Sequence, residues 1–164
     1  MFFLEIFRKF NDKGFDYVVI GGVALVMHGV VRLTADLDLM VYLDRDNLRK
    51  LLDTMAELGY RPRIPEPPEA LLDPVRRKYW QEEKNMEVFS FYSTDQPLAL
   101  LDIMIYEPIA YQRIKSNAVV MTVGTSQVPV ASIDDMIELK KMSGRPQDLE
   151  DIKALESERS HERD

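Results

Sequence analysis

The sequence predicts an α+β fold, and three stretches carry that expectation. Phe3, Ile6, Phe7 and Phe10 recur at helical spacing ahead of Gly14, the pattern of an amphipathic helix with a glycine stop. Tyr17-Val18-Val19-Ile20 is a short apolar run that ends in Gly21-Gly22 and leads into the helix-forming segment 23–30, which closes near Gly29. That reads as strand, glycine turn, helix. Residues 86–92 and 98–106 are β-rich runs separated by Ser93-Thr94-Asp95-Gln96-Pro97, as in a hairpin.

The other elements follow in chain order. Segment 35–43 alternates at first and then becomes continuously apolar, as a strand does when it leaves a polar site for a core. Leu48, Leu51, Leu52, Met55 and Leu58 set a helix over 45–58, ended by Gly59. Pro62, Pro65, Pro67, Pro68 and Pro74 make 62–74 an irregular excursion or short helix rather than a sheet strand, and the stretch expected to move or vary most. Arg76, Arg77 and Lys78 beside Tyr79 and Trp80 read as a solvated turn with partly buried aromatics, or else as a contact for an RNA or nucleotide acceptor. Pro108 can open a short helix through Ile114, and 119–123 and 128–130 are small strands around Gly124. Ser132, with Asp135 three positions on, caps a helix to about Met142. After Arg145-Pro146 a final helix spans 147–158 with Leu149, Ile152 and Leu155 inward, followed by a charged tail that frays.

Length and charge bound the function. A chain of 164 residues fits one domain, residues 1–164, with 132–158 as its C-terminal helical part. The formal charge of −7 and pI near 4.9 oppose a general nucleic-acid coat, which needs net positive faces. The absence of cysteine excludes disulfides, cysteine-ligated metals and thiol chemistry. Neither a signal peptide nor a membrane span is expected, so the chain is read as cytoplasmic.

Three aspartates carry the chemistry. On a strand, Asp36 and Asp38 project from one face about 7 Å apart. Their repulsion is relieved by water, at a solvated strand end, or by a hard divalent cation. Asp102 is the lone charge in Leu100-Leu101-Asp102-Ile103-Met104-Ile105; it is costly there unless paired, ligated, at a cleft or on a wet strand face. Gly21-Gly22 is a tight turn, or a place where bare backbone amides meet a phosphate. Lys140, Lys141 and Arg145 are a solvated helix face, or a counter-charge for a triphosphate. His28 is best read as a helix-packing histidine, Thr34 can start the acidic strand, and Arg32 is placed to pair with Asp36 or with phosphate.

In order, Gly21-Gly22, thirteen residues, Asp36-x-Asp38 and a later apolar strand bearing Asp102 resemble the nucleotidyltransferase superfamily related to DNA polymerase beta. The wider strings Gly21-Gly22-Val23-Ala24, Met27-His28-Gly29, Arg32-x-Thr34-x-Asp36-x-Asp38-Leu39 and Lys140 followed by Arg145-x-x-Asp148-x-x-Asp151-Ile152 resemble its minimal bacterial branch, which includes toxin nucleotidyltransferases of the AbiEii kind. The resemblance covers roughly residues 17–155. It implies a small mixed sheet flanked by helices. It implies magnesium, two ions during catalysis, held by Asp36, Asp38 and Asp102, and a nucleoside triphosphate held by Gly21, Gly22, Arg32, Thr34 and Lys140. Arg145, Asp148 and Asp151 are secondary candidates for catalysis or positioning. The activity implied is transfer of a nucleoside monophosphate to a hydroxyl of an RNA, protein or small molecule with release of pyrophosphate, and an antitoxin-like protein is an implied partner. Many relatives have Gly-Ser where this chain has Gly21-Gly22, so a catalytically inactive nucleotide- or partner-binding member is the alternative.

Overall fold

The structure is a computed structural model and describes residues 3–163. The first half of the chain alternates as read from its periodicity: α1 (Phe3–Lys13), β1 (Tyr17–Ile20), α2 (Gly21–Met27), β2 (Leu37–Val41) and α3 (Arg45–Glu57). Asp44 accepts a hydrogen bond from the Asn47 amide and so caps α3, satisfying one of the free donors of its first turn. Next come β3 (Arg61–Pro62), a 3-10 turn at Pro68–Leu72, α4 (Pro74–Lys84), β4 (Val88–Tyr92) and β5 (Leu101–Met104). The chain ends with α5 (Tyr111–Asn117), β6 (Val119–Val123), β7 (Ser126–Val130), α6 (Ile133–Ser143) and α7 (Pro146–Arg163). Ser132 caps α6 through the Asp135 amide at 3.1 Å, as its spacing predicted.

The strands form one mixed sheet of seven in the order β3-β4-β5-β2-β1-β7-β6. The β4–β5 and β6–β7 neighbours are antiparallel, whereas β2–β5 and β1–β7 are parallel. Two parallel pairs inside a sheet built from short connections require crossovers, and these put helices over the sheet faces. Phe7, Phe10, Phe15 and Tyr17 form an aromatic cluster where α1 meets β1. Leu37, Leu39, Phe89, Phe91, Leu101 and Ile103 are all buried at alternate positions of the central strands and commit one sheet face to the core, while the other face carries Asp38, Asp102 and Ser90 beside the buried Val18, Ile20 and Met40.

Four expectations are corrected. Pro62 belongs to a strand, β3, paired to β4; an edge position tolerates proline because its missing N–H has no ladder partner to lose. Arg76 to Trp80 lie in helix α4, capped by Asp73, rather than in a turn; Arg77 is buried and donates to the Leu71 carbonyl at 2.5 Å. Leu149 is 58% exposed, because α7 turns Asp148, Asp151, Ile152 and Leu155 inward instead. The charged stretch after 158 stays helical to Arg163. Among the described residues no helix is long and apolar enough to cross a membrane.

Candidate active site

The polar sheet face is organised as rows. Strand register places Asp38 of β2 opposite Asp102 of β5, Asp102 opposite Ser90 of β4, and Asp38 opposite Ile20 of β1. Residues in register share a face, so Ser90, Asp102, Asp38 and Ile20 make one row across four strands. Ser90 Oγ donates to Asp102 Oδ1 at 2.6 Å. Asp38 stands directly beside Asp102 on the neighbouring strand. Asp36, two residues earlier and on the same face, accepts the Leu100 amide at its Oδ1 at 3.1 Å.

Crowded carboxylates resist ionisation together. Burial, then the charges of Asp102 and Asp36, push the Asp38 carboxyl up to about 7. Burial raises Asp102 as well, and Asp36 adds to it, while the Ser90 hydroxyl pulls the other way. Both carboxyls are therefore held above the usual carboxylate range, Asp38 by burial and its two acidic neighbours.

The glycine pair abuts this row. Gly21 takes φ +69°, and a Cβ on it would stand 2.1 Å from Asp38 Oδ2, so no other residue fits without moving the carboxylate. A Cβ on Gly22 would meet Thr34 Oγ1 at 2.6 Å. The two glycines open α2 itself rather than preceding it. They line a cleft of about 270 Å³ together with Arg32, Asp38, Lys140, Arg145 and Asp148.

The basic residues of the cleft are held by acids from α7. Lys140 Nζ lies 3.3 Å from Asp148 Oδ1 and 3.0 Å from Asp151 Oδ2. Arg32 reaches Asp151 at 2.6 Å and not Asp36, and Arg145 Nε reaches Asp148 at 3.1 Å. Burial by itself would raise Asp148; hydrogen bonds from the Arg145 and Ser143 side chains and the Arg145 amide, with the Lys140 charge, bring it down to about 2 instead. Asp151 is likewise burdened by burial and lowered by Lys140, Gln147 and Arg32. Asp148 and Asp151 thus act on the cleft through the cations they orient.

Most residues singled out from the sequence meet here. Gly21, Gly22, Arg32, Asp38, Lys140, Arg145 and Asp148 line the cleft, Asp102 adjoins it through Asp38, and Asp151 holds two of its cations. Thr34 packs behind Gly22, and its hydroxyl is 3.4 Å from the Asp36 carbonyl. Asp36 does not line this cleft; its Oδ1 accepts the Leu100 amide and its side chain borders a separate one. His28 is buried with its Nε2 2.7 Å from the Ala131 carbonyl, a packing role as expected. Ser90 was not anticipated; the one available signal was a hydroxyl between Phe89 and Phe91 in a strand destined to pair with that of Asp102.

The donor set fits a hard divalent cation. Two carboxylates held side by side, both costly to ionise, gain from a cation that takes up their charge. Among the described residues no three Asp, Glu or His side chains are grouped as a metal-ligand set. The core of such a site is the Asp38–Asp102 pair.

No protein-family model and no curated protein match the chain. Solved structures do. The lincosamide antibiotic adenylyltransferase LnuA, solved with lincomycin bound, superposes with TM-score 0.60 at 17% identity over 93% of each chain. This is a nucleotidyltransferase fold. ANT(2")-Ia, in complex with adenylyl-2"-tobramycin, gives TM-score 0.60 at 16% identity over 92% of this chain and 83% of its own. An antigenic nucleotidyltransferase-like protein from Paracoccidioides brasiliensis gives 0.57 at 15% identity, over 92% and 72%. The fold class expected from the sequence, a mixed sheet flanked by helices, is the one found.

Proposed function

We propose that this chain is a magnesium-dependent nucleotidyltransferase that moves a nucleoside monophosphate from a nucleoside triphosphate to a hydroxyl and releases pyrophosphate. The observation that carries the reading is the cleft that joins Asp38, with Asp102 beside it in register, to bare glycine backbone and to Lys140, Arg32 and Arg145. Acidic and basic halves of one cleft suit a cation on one side and polyphosphate oxygens on the other. The fold neighbours named above, two of them with an antibiotic or its adenylylated form bound, support the same chemistry. They speak for the wider superfamily, and the AbiEii branch and an antitoxin-like partner gain no support from them.

The roles follow from position. Gly21 and Gly22 present backbone to the phosphates at close range, and Lys140 and Arg32 neutralise them. Asp38 and Asp102 would hold magnesium, with Asp36 beside them; when bound, the metal stabilises the negative charge that builds on the reacting oxygens. The acceptor oxygen forms a bond to the α-phosphorus while the bond from that phosphorus to the bridging oxygen breaks, and pyrophosphate leaves with the electron pair. The hydroxyl proton passes to Asp102, the carboxylate that Ser90 orients. Such a reaction draws on the triphosphate pool of the cytoplasm.

Incubation with α-phosphate-labelled nucleoside triphosphates, magnesium and total cell extract should label an acceptor. Asp38→Ala and Asp102→Ala should abolish the label while leaving the fold intact, and undiminished labelling by both would overturn the proposal. Nucleotide binding without pyrophosphate release across a broad acceptor panel would instead establish the binding-only alternative.

A further inference from the structure

The row Ser90–Asp102–Asp38 divides the polar sheet face. On one side, Val88 and Met104, one step along β4 and β5, border the cleft that holds Gly21, Gly22, Lys140 and Arg145. On the other side, Tyr92 and Leu100 border a second cleft of about 510 Å³, lined by Asp36, Arg63, Tyr92, Pro97, Leu98 and Leu100. The backbone of Arg63 is tied to this face by its amide, which donates to the Ser90 carbonyl at 2.8 Å. The two clefts thus meet across the carboxylates.

In-line displacement puts the incoming oxygen opposite the departing pyrophosphate. The glycine pair and every basic group of the first cleft fix the pyrophosphate on that side, so the acceptor must approach from the second cleft. The lining there carries one carboxylate, already engaged by an amide, and one guanidinium. A polycation would find a single acidic partner, and an RNA backbone a single basic one. The rest of the surface is an aromatic ring, a proline and two leucines, with Leu98 86% exposed at the rim. A volume of this order suits a small molecule.

Resting on the transferase reading above, we infer that the second cleft is the acceptor subsite, and that the acceptor is a near-neutral small molecule carrying a hydroxyl on one part and an apolar group on another. Leu98 and Tyr92 take the apolar part, Arg63 a polar substituent, and the hydroxyl is directed toward Asp36 and Asp102.

The full chain can be tested with n-octyl β-D-glucoside below its micelle concentration as the neutral amphipathic probe, tobramycin as the polycation and a short RNA hairpin as the polyanion. Saturation-transfer NMR should show saturable glucoside binding that neither tobramycin nor the hairpin displaces. Leu98→Asp, at an exposed position and so compatible with folding, should weaken it about tenfold or more while the affinity for magnesium ATP stays as in the unaltered chain; Arg63→Ala should weaken it less. Absence of glucoside binding, equal binding by Leu98→Asp, or displacement by tobramycin or RNA would overturn the subsite. Failure of the unaltered chain to bind ATP or to label any acceptor would instead overturn the transferase reading, whatever the glucoside does.

Discussion

Two pairs of aspartates lie on either side of one cleft and are held in opposite electrostatic states. Asp38 and Asp102 have each other, a serine hydroxyl and, among the described residues, no cation within hydrogen-bond range, and burial with mutual repulsion lifts Asp38 to about 7. Asp148 and Asp151 are buried at least as deeply, yet Lys140, Arg32 and Arg145 surround them and bring Asp148 to about 2. The same side chain is a destabilised acid in one place and a saturated base in the other. An under-compensated carboxylate pair is poised to take up a cation; a compensated pair serves to place the cations it already has.

The sharpest way to break the comparison is to remove the poised pair. Asp102→Ala should cut transfer on the order of 10³-fold, read as pyrophosphate release, with circular dichroism unchanged. Breaking the other pair should cost stability first: Lys140 is only 11% exposed, and Lys140→Met removes the one cation shared by two buried carboxylates, for a loss of about 3 kcal/mol in urea unfolding. A milder result would mean that Arg145 and Arg32 by themselves compensate Asp148 and Asp151.

The two pairs should also answer pH with opposite sign. Asp38 is raised, so its penalty on folding is absent below pH 4, grows as the pH climbs toward 7 and is complete above it. In chelator-treated protein, Asp38→Asn should therefore raise Tm at pH 8 by about 5 °C and leave it unchanged at pH 4. Asp148 is lowered, so its contribution is present above pH 4 and disappears as the pH falls toward 2; the destabilisation caused by Asp148→Asn should vanish over that interval. The smallest effect belongs to Arg145, whose side chain is 72% exposed: Arg145→Ala should cost under about 1 kcal/mol and appear chiefly as a raised KM for the triphosphate.

Legibility from sequence tracks this contrast. Asp102 was visible because a lone charge in an apolar strand is anomalous, and Asp36-x-Asp38 because strand periodicity fixes its face. The compensated pair was not readable, since Arg32 and Asp151 are 119 positions apart and a helix-face pattern looks the same whether its acids meet water or cations. Helix α4 escaped because its buried residues are Arg77 and Trp80, too few apolar positions to set a period. Strand β3 escaped because two residues beside a run of prolines carry no alternation at all. Leu149 was assigned inward by the same periodicity that placed Ile152 and Leu155, and was overridden by the demand of Asp148 for buried partners.

The close approach of Thr34 to Gly22 constrains how this chain can change over time. A β-carbon added at position 22 would stand 2.6 Å from Thr34 Oγ1 and 3.0 Å from Thr34 Cβ, so a serine there requires Thr34 to shift. Positions 22 and 34 are therefore coupled: bulk gained at one is accommodated only as the other gives way.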